Sequence, residues 1–279
     1  MTTGVFLAVL AAALLHATWN ALVKTGANKQ TAVMILTTGQ GMLSALALVW
    51  WPLPEAEVWP WLIASGVVHM LYQLFLAYAY EQGDLSRVYP ISRGTAPLVV
   101  LLAGIFLLPD QIAVMEFAGV AVLGVGIVLM ARGIFTDGES RKLLPFALGA
   151  ACATAAYTLI DGIGARISGD PITFVGWVFL LSALFYLPAV LALKGPGVLR
   201  ATSRTWGLGL VAAAASLVSY AVAVWAMTLA PIAIVAALRE TSILFAVLIG
   251  WLLFGDRMNR SKALAAGLIV AGVMLTRLG

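Results

Sequence analysis

The chain has 279 residues, 62% hydrophobic and only 10% charged, with a formal net charge of +4 and a mean hydropathy of +1.03. Its apolar runs pass the length test of about 18 residues for membrane-spanning helices, which excludes a water-soluble domain. The basic residues sit in short loops, which excludes a nucleic-acid groove, and the single cysteine, Cys152, excludes an internal disulfide.

Taken in chain order, the apolar runs predict helices over residues 4–24, 30–50, 59–80, 85–108, 112–132, 143–165, 171–193, 205–228, 231–253 and 260–278. Each is near the length that crosses about 30 Å of hydrocarbon at 1.5 Å per residue. The breaks are rich in Gly, Pro and Asp, as in Gln82-Gly83-Asp84, Pro109-Asp110, Ser168-Gly169-Asp170-Pro171 and Gly255-Asp256. The first run lacks a basic leader segment and a clear cleavage site, so it reads as a retained helix. The expected fold class is an all-α membrane protein of ten transmembrane helices around a central cavity.

The chain also repeats itself. Arg93, Gly104, Asp110 and Gly126 return 146 residues later as Arg239, Gly250, Asp256 and Gly272. This predicts two five-helix repeats, residues 1–133 and 142–279. Five spans per repeat is an odd number, so the copies insert in opposite senses, the inverted-repeat pattern of secondary transporters. Alternate loops on one side carry Lys29, Arg87, Arg141, Lys142, Lys194, Arg200, Arg204, Arg257 and Arg260, while the other side has little besides Arg166 and Arg277. By the positive-inside rule both termini lie outside the cytoplasm.

Polar side chains have no partner in lipid, so their positions map the interior. The first helix carries His16, Asn20 and Lys24 on one face, with Trp19 beside them. The third carries His69, Tyr72, Gln73 and Tyr80, the sixth Tyr157 and Asp161, and the eighth Ser216, Ser219 and Tyr220. Tyr78 and Trp225 join the other mid-span aromatics as candidate cavity walls, suited to amphiphilic or aromatic solutes. The second and seventh helices are expected to be peripheral, although Thr37, Gln40 and Ser44 are polar. In the fifth and tenth, Gly119 and Gly126, then Ala265 and Gly272, stand seven apart and predict a helix-packing seam.

Arg93 and Arg239 fall near mid-membrane, where a charge costs roughly 2.5–3.5 kcal/mol on insertion scales and needs a partner or water. The candidates of opposite sign are Glu240 and Asp161, which predicts Arg93 facing Glu240 and Arg239 facing Asp161. A structural ion pair, a contact to an anionic solute and a proton-coupling role all fit those residues. His16 and His69 have the range for proton relay. No further ligand stands at metal-binding spacing, and neither a metal nor a cofactor is expected. Pro90 and Pro97 place a possible hinge in the fourth helix.

Three stretches carry a family resemblance: His16-Ala-Thr-Trp-Asn-Ala-Leu-Val-Lys24, Glu81-Gln-Gly-Asp-Leu-Ser-Arg-Val-Tyr-Pro-Ile-Ser-Arg-Gly94 and Ala237-Leu-Arg-Glu-Thr-Ser242. They resemble the EamA-type drug/metabolite transporters over essentially the whole chain. The resemblance implies a ten-helix carrier of the bacterial inner membrane, exporting amino acids or related metabolites. It works as a monomer or homodimer, with a small solute and the lipid bilayer as its partners. A related branch implies the alternative of a sugar-phosphate or nucleotide-sugar exchanger. The resemblance also implies cytoplasmic termini, opposite to the loop charges. No Gly-x-Gly-Asp, His-Glu-x-x-His or Gly-x-Ser-x-Gly motif supports an intramembrane enzyme.

Overall fold

The computed structural model describes residues 1–24, 28–82, 92, 96–131, 141–254 and 260–278. Among them there are helices and no strand. The helices are α1 (Thr3–Lys24), α2 (Lys29–Leu48), α3 (Trp59–Gln82), α4 (Ala96–Leu107), α5 (Val114–Ala131), α6 (Leu144–Ser168), α7 (Pro171–Lys194), α8 (Ser203–Leu229), α9 (Ile232–Arg239), α10 (Thr241–Phe254) and α11 (Arg260–Leu278).

Local chemistry sets the helix ends. Gly169 takes φ +68 at the end of α6, a left-handed cap that suits glycine. One residue later the Asp170 carboxylate accepts from the backbone N–H groups of Ile172 and Thr173, both at 3.1 Å, and Pro171 opens α7. Asn28 caps α2 and Thr202 caps α8 in the same way. The ninth expected span is broken: α9 stops at Arg239, and a turn at Glu240 leads into α10. There the Glu240 N–H reaches back to the Ala237 carbonyl (3.1 Å) and the Ile243 N–H to that of Glu240 (3.0 Å), three-residue steps that tighten the coil.

Among the described residues, seven stretches are long and apolar enough to cross a membrane by length and composition: Thr3–Asn20, Lys29–Leu48, Trp59–Gln82, Leu144–Ser168, Pro171–Lys194, Ser203–Leu229 and Ile232–Ile249. Val114–Leu129 and Ala263–Leu278 are shorter apolar helices, and of the fourth expected span α4 is the described helical part. Burial runs opposite to that of a soluble protein. Leu46, Phe106, Val114 and Leu252 are exposed, while Gln40, His69, Gln73, Asp161 and Glu240 are buried. Lipid is the solvent that favours this arrangement.

The packing is pairwise symmetric. α1 lies on α8 as α6 lies on α3, and α3 lies on α7 as α8 lies on α2. Two pairs map onto themselves, α2 with α7 and α5 with α11. At the last pair the two backbones touch. A Cβ built on Gly272 would stand 2.7 Å from the Gly119 carbonyl oxygen, and one on Gly126 would stand 3.0 Å from that of Ala265.

Both ends of the described chain reach the same face, where Arg277 donates to the Thr3 hydroxyl (2.7 Å). On this face Arg166, at the end of α6, holds Asp110 from the α4–α5 connection with two parallel bonds of 2.7 and 3.1 Å. The same guanidinium donates to the carbonyls of Met227 (2.8 Å) and Ala230 (3.0 Å) at the end of α8. Asp110 also accepts from the Ile232 N–H (2.9 Å) at the start of α9. One ion pair, its partners drawn from the two halves, therefore closes the two helix ends at the α8–α9 junction. On the opposite face Lys194 pairs with Glu81 at 2.8 Å.

Candidate functional site

A cavity open at one end lies between the halves. α1 contributes His16, Trp19 and Asn20, and α2 contributes Leu36 and Gln40. α3 contributes His69, Tyr72, Gln73, Leu76 and Tyr80, and α6 contributes Tyr157. Phe179 comes from α7, Ser216 and Tyr220 from α8, and Arg239 from α9. The lining reaches toward the face opposite the termini, where Asn20 and Tyr80 are half-buried. It ends toward the termini at Tyr220 and Arg239, both buried.

Helical spacing explains why these side chains converge. His16 and Asn20 are one turn apart, as are His69 and Gln73, with Leu76 and Tyr80 continuing the same α3 stripe. The cavity floor is aromatic. His69 stacks on Tyr157 with centroids 4.1 Å apart, Tyr72 meets Tyr157 edge-on at 5.5 Å, and Phe179 lies 5.3 Å from Tyr220. Arg239 places its guanidinium 4.9 Å from the centre of the Tyr220 ring, a cation–π contact.

Behind this floor lies Asp161, fully buried. Its Oδ2 is 3.0 Å from His69 Nε2 and accepts from the Tyr220 hydroxyl. The expected Arg239–Asp161 pair is therefore replaced. Asp161 is held by His69 and Tyr220, and Arg239 lies over the Tyr220 ring. Arg93, Tyr89 and Pro90 lie outside the described residues, and with them the expected Arg93–Glu240 pair. Glu240 is buried at the turn between α9 and α10.

Of the candidate cavity residues, His16, Trp19, Asn20, His69, Tyr72, Gln73, Tyr157, Tyr220 and Arg239 line the cavity. Four others lie elsewhere. Tyr78 stacks on Phe146 (5.6 Å) with the Lys194 ammonium 4.3 Å from its ring centre, near the end of α3. Trp225 packs against the apolar cluster of α8, α9 and α5. Asp161 stands behind the wall, and Glu240 occupies the α9–α10 turn. The second and seventh helices are not peripheral, because Leu36, Gln40 and Phe179 line the cavity. Gln40 also donates to the Ser216 hydroxyl at 3.0 Å. The cluster of Thr37, Gln40 and Ser44 on an otherwise apolar α2 was the available signal. Pro97 lies in α4, whose described part begins at Ala96, and the interior proline among the described helices is Pro188 in α7. No group of three or more His, Cys, Asp or Glu that could hold a metal occurs among the described residues.

Several buried polar atoms at the cavity have no hydrogen-bond partner: Trp19 Nε1, Gln40 Oε1 and Gln73 Oε1, with Asp161 Oδ1 behind them. Each such atom costs about 1–3 kcal/mol until something satisfies it. The residues lining the cavity thus carry one unpaired N–H donor, two unpaired amide carbonyl oxygens, a guanidinium and aromatic rings.

The family model described as the EamA-like transporter family matches residues 2–132 and again residues 141–278. No curated protein matches the sequence. A solved structure described only as a crystal structure of a protein superposes on 100% of this chain and 98% of its own, with a TM-score of 0.77 at 19% identity. At that identity the likeness shows the fold alone.

Proposed function

Because the chain belongs to the EamA-like transporter family, whose members are membrane transporters of small solutes, we propose that it exports amino acids or closely related zwitterions across the bacterial inner membrane. In this reading ten helices, as two inverted repeats of five, rock about the central cavity, and one chain suffices. The unpaired atoms of the cavity support the solute class. Gln40 and Gln73 line a site walled by aromatic rings and carry amide oxygens without a partner, which suits an ammonium. Arg239 suits a carboxylate. A zwitterion satisfies both without bringing net charge into a low-dielectric space.

The second reading is an exchanger of organic anions such as sugar phosphates, favoured by Arg239 as the one permanent cation among the described lining residues. A phosphate dianion beside a single arginine leaves charge uncompensated, so the zwitterion fits better.

Reconstitution in liposomes separates the two. The export reading expects uptake of labelled amino acids into vesicles that contain no counter-solute. Uptake that occurs only with sugar phosphate on both sides would overturn it.

A further inference from the structure

We propose that the His69–Asp161 pair is a proton-binding site on the cavity wall, and that proton and solute amine occupy the cavity in competition. The inference rests on the amine-bearing solute class proposed above. It gives that transporter its coupling ion, hydrogen ion against solute.

The pair joins the two halves, with His69 on α3 and Asp161 on α6. Asp161 is fully buried, and its Oδ2 takes both the His69 and the Tyr220 contacts while Oδ1 has no partner. A carboxylate accepting from both neighbours fixes the neutral imidazole with hydrogen on Nε2, leaving Nδ1 as the free lone pair. A hydrogen ion arriving through the cavity forms an N–H bond at Nδ1 and makes an imidazolium, already paired with Asp161 through Nε2. Release breaks that N–H bond and returns the hydrogen ion to water on the other side. No other bond changes. The Tyr157 ring stacks on His69 at 4.1 Å and holds the imidazole in place.

The surrounding ionisable groups are few. Tyr157 on α6 and Tyr220 on α8 touch the pair. Arg239 lies beyond the Tyr220 ring, Glu240 follows it at the turn, and Tyr72 and His16 line the same cavity. Among the described residues, α4 carries no ionisable residue, and α2 and α7 present Gln40 and Phe179. Protonation of His69 adds one positive charge to the cavity wall, and a solute ammonium against the same aromatic floor repels it. Like charges about 5 Å apart at a protein wall weaken each other's binding by roughly 100-fold, which makes exchange favourable and co-transport unfavourable.

Two measurements test this on the full-length protein in liposomes. Infrared difference spectra across about pH 5–8, without solute, report imidazole and carboxylate protonation. His16, the other imidazole of the chain, is present in every variant, so the signal read is the native spectrum minus that of H69Q: an imidazole band is expected in this difference, altered in D161N, and its absence overturns the site. The second measurement uses a labelled mixture of the protein amino acids, taken up into vesicles with acid inside. The ratio of gradient-driven to gradient-free uptake is expected at about tenfold for the native protein and near one for H69Q and D161N. D161E retains a ratio above one. Because each ratio is internal to one preparation, partial misfolding cancels. Uptake indifferent to the gradient overturns the coupling while the amino-acid reading stands. If the mixture is not taken up at all, the amino-acid reading fails and the solute-free titration alone decides whether the pair binds the hydrogen ion.

Discussion

The seam between α5 and α11 makes a quantitative prediction from two glycines on one helix. A Cβ on Gly272 would meet the Leu123 nitrogen at 2.6 Å and the Gly119 carbonyl oxygen at 2.7 Å. These distances are about 0.8 Å inside the roughly 3.5 Å at which non-bonded atoms sit comfortably. Both colliding atoms are backbone, so no side chain can rotate away and the helices must part. Parting them also loosens Gly119 against Thr276 and Gly126 against Ile269. A Cβ on Gly267, in the same helix, meets nothing within 4 Å. Both Gly→Ala changes gain the same helix propensity, about 1 kcal/mol, so the difference between them isolates the clash. Overpacking of this kind costs about 1–3 kcal/mol, and backbone collision places it in the upper half of that range. At about 2–4 °C per kcal/mol, Gly272→Ala should melt about 4–12 °C below Gly267→Ala in detergent, followed by tryptophan fluorescence. Equal melting, or the reverse order, would show that the two backbones do not touch.

Three further outcomes follow from single contacts. Asp110→Asn and Arg166→Gln should each lower stability by about 1–3 kcal/mol, discounted because the Arg166 side chain is 27% exposed. The double variant should fall short of their sum by at least about 0.5 kcal/mol, and strict additivity in thermal melts would deny the clamp. Arg239→Gln should weaken counterflow of carboxylate-bearing amino acids by about tenfold or more and spare amines that lack a carboxylate. An equal loss for both would remove Arg239 from solute recognition. Gln40→Leu should weaken solute binding by about tenfold, read as a raised KM, with thermal stability changed by less than about 1 kcal/mol; an unaltered KM would mean that its unpaired oxygen does not meet the solute.

Much of the fold was legible because lipid simplifies the code. A polar residue in an apolar run must find protein or water, so His16, Asn20, His69, Gln73 and Tyr157 marked inward faces before any contact was known. The stripe of α3 was readable from four-residue spacing alone. The break at Glu240 was not. The run from Ile232 to Ile249 is uniformly apolar apart from Arg239, Glu240, Thr241 and Ser242. Nothing local in it, neither glycine nor an interior proline, announces a turn. The turn is visible only in where the Glu240 and Ile243 N–H groups bond.

The misplacements at the site share one physical origin, which is that charge was matched by sign alone. Arg239 and Asp161 are opposite charges on facing halves, and pairing them was the simplest electrostatic reading. A wholly buried carboxylate is more demanding than that, because it must also have its lone pairs directed at donors. His69 and Tyr220 reach Oδ2 from α3 and α8 with directional N–H and O–H groups, while the guanidinium gains the face of the Tyr220 ring instead. Tyr78 and Trp225 fail for the complementary reason. An aromatic ring is satisfied by apolar packing or by a lysine at the end of its helix, so it carries no obligation to face a cavity. Gln40 carries that obligation, since its amide would otherwise face lipid, and it lines the cavity from a helix expected to stand outside it. In this chain, then, the two amides Gln40 and Gln73 reach the cavity, while the rings of Tyr78 and Trp225 and the carboxylates of Asp161 and Glu240 do not line it.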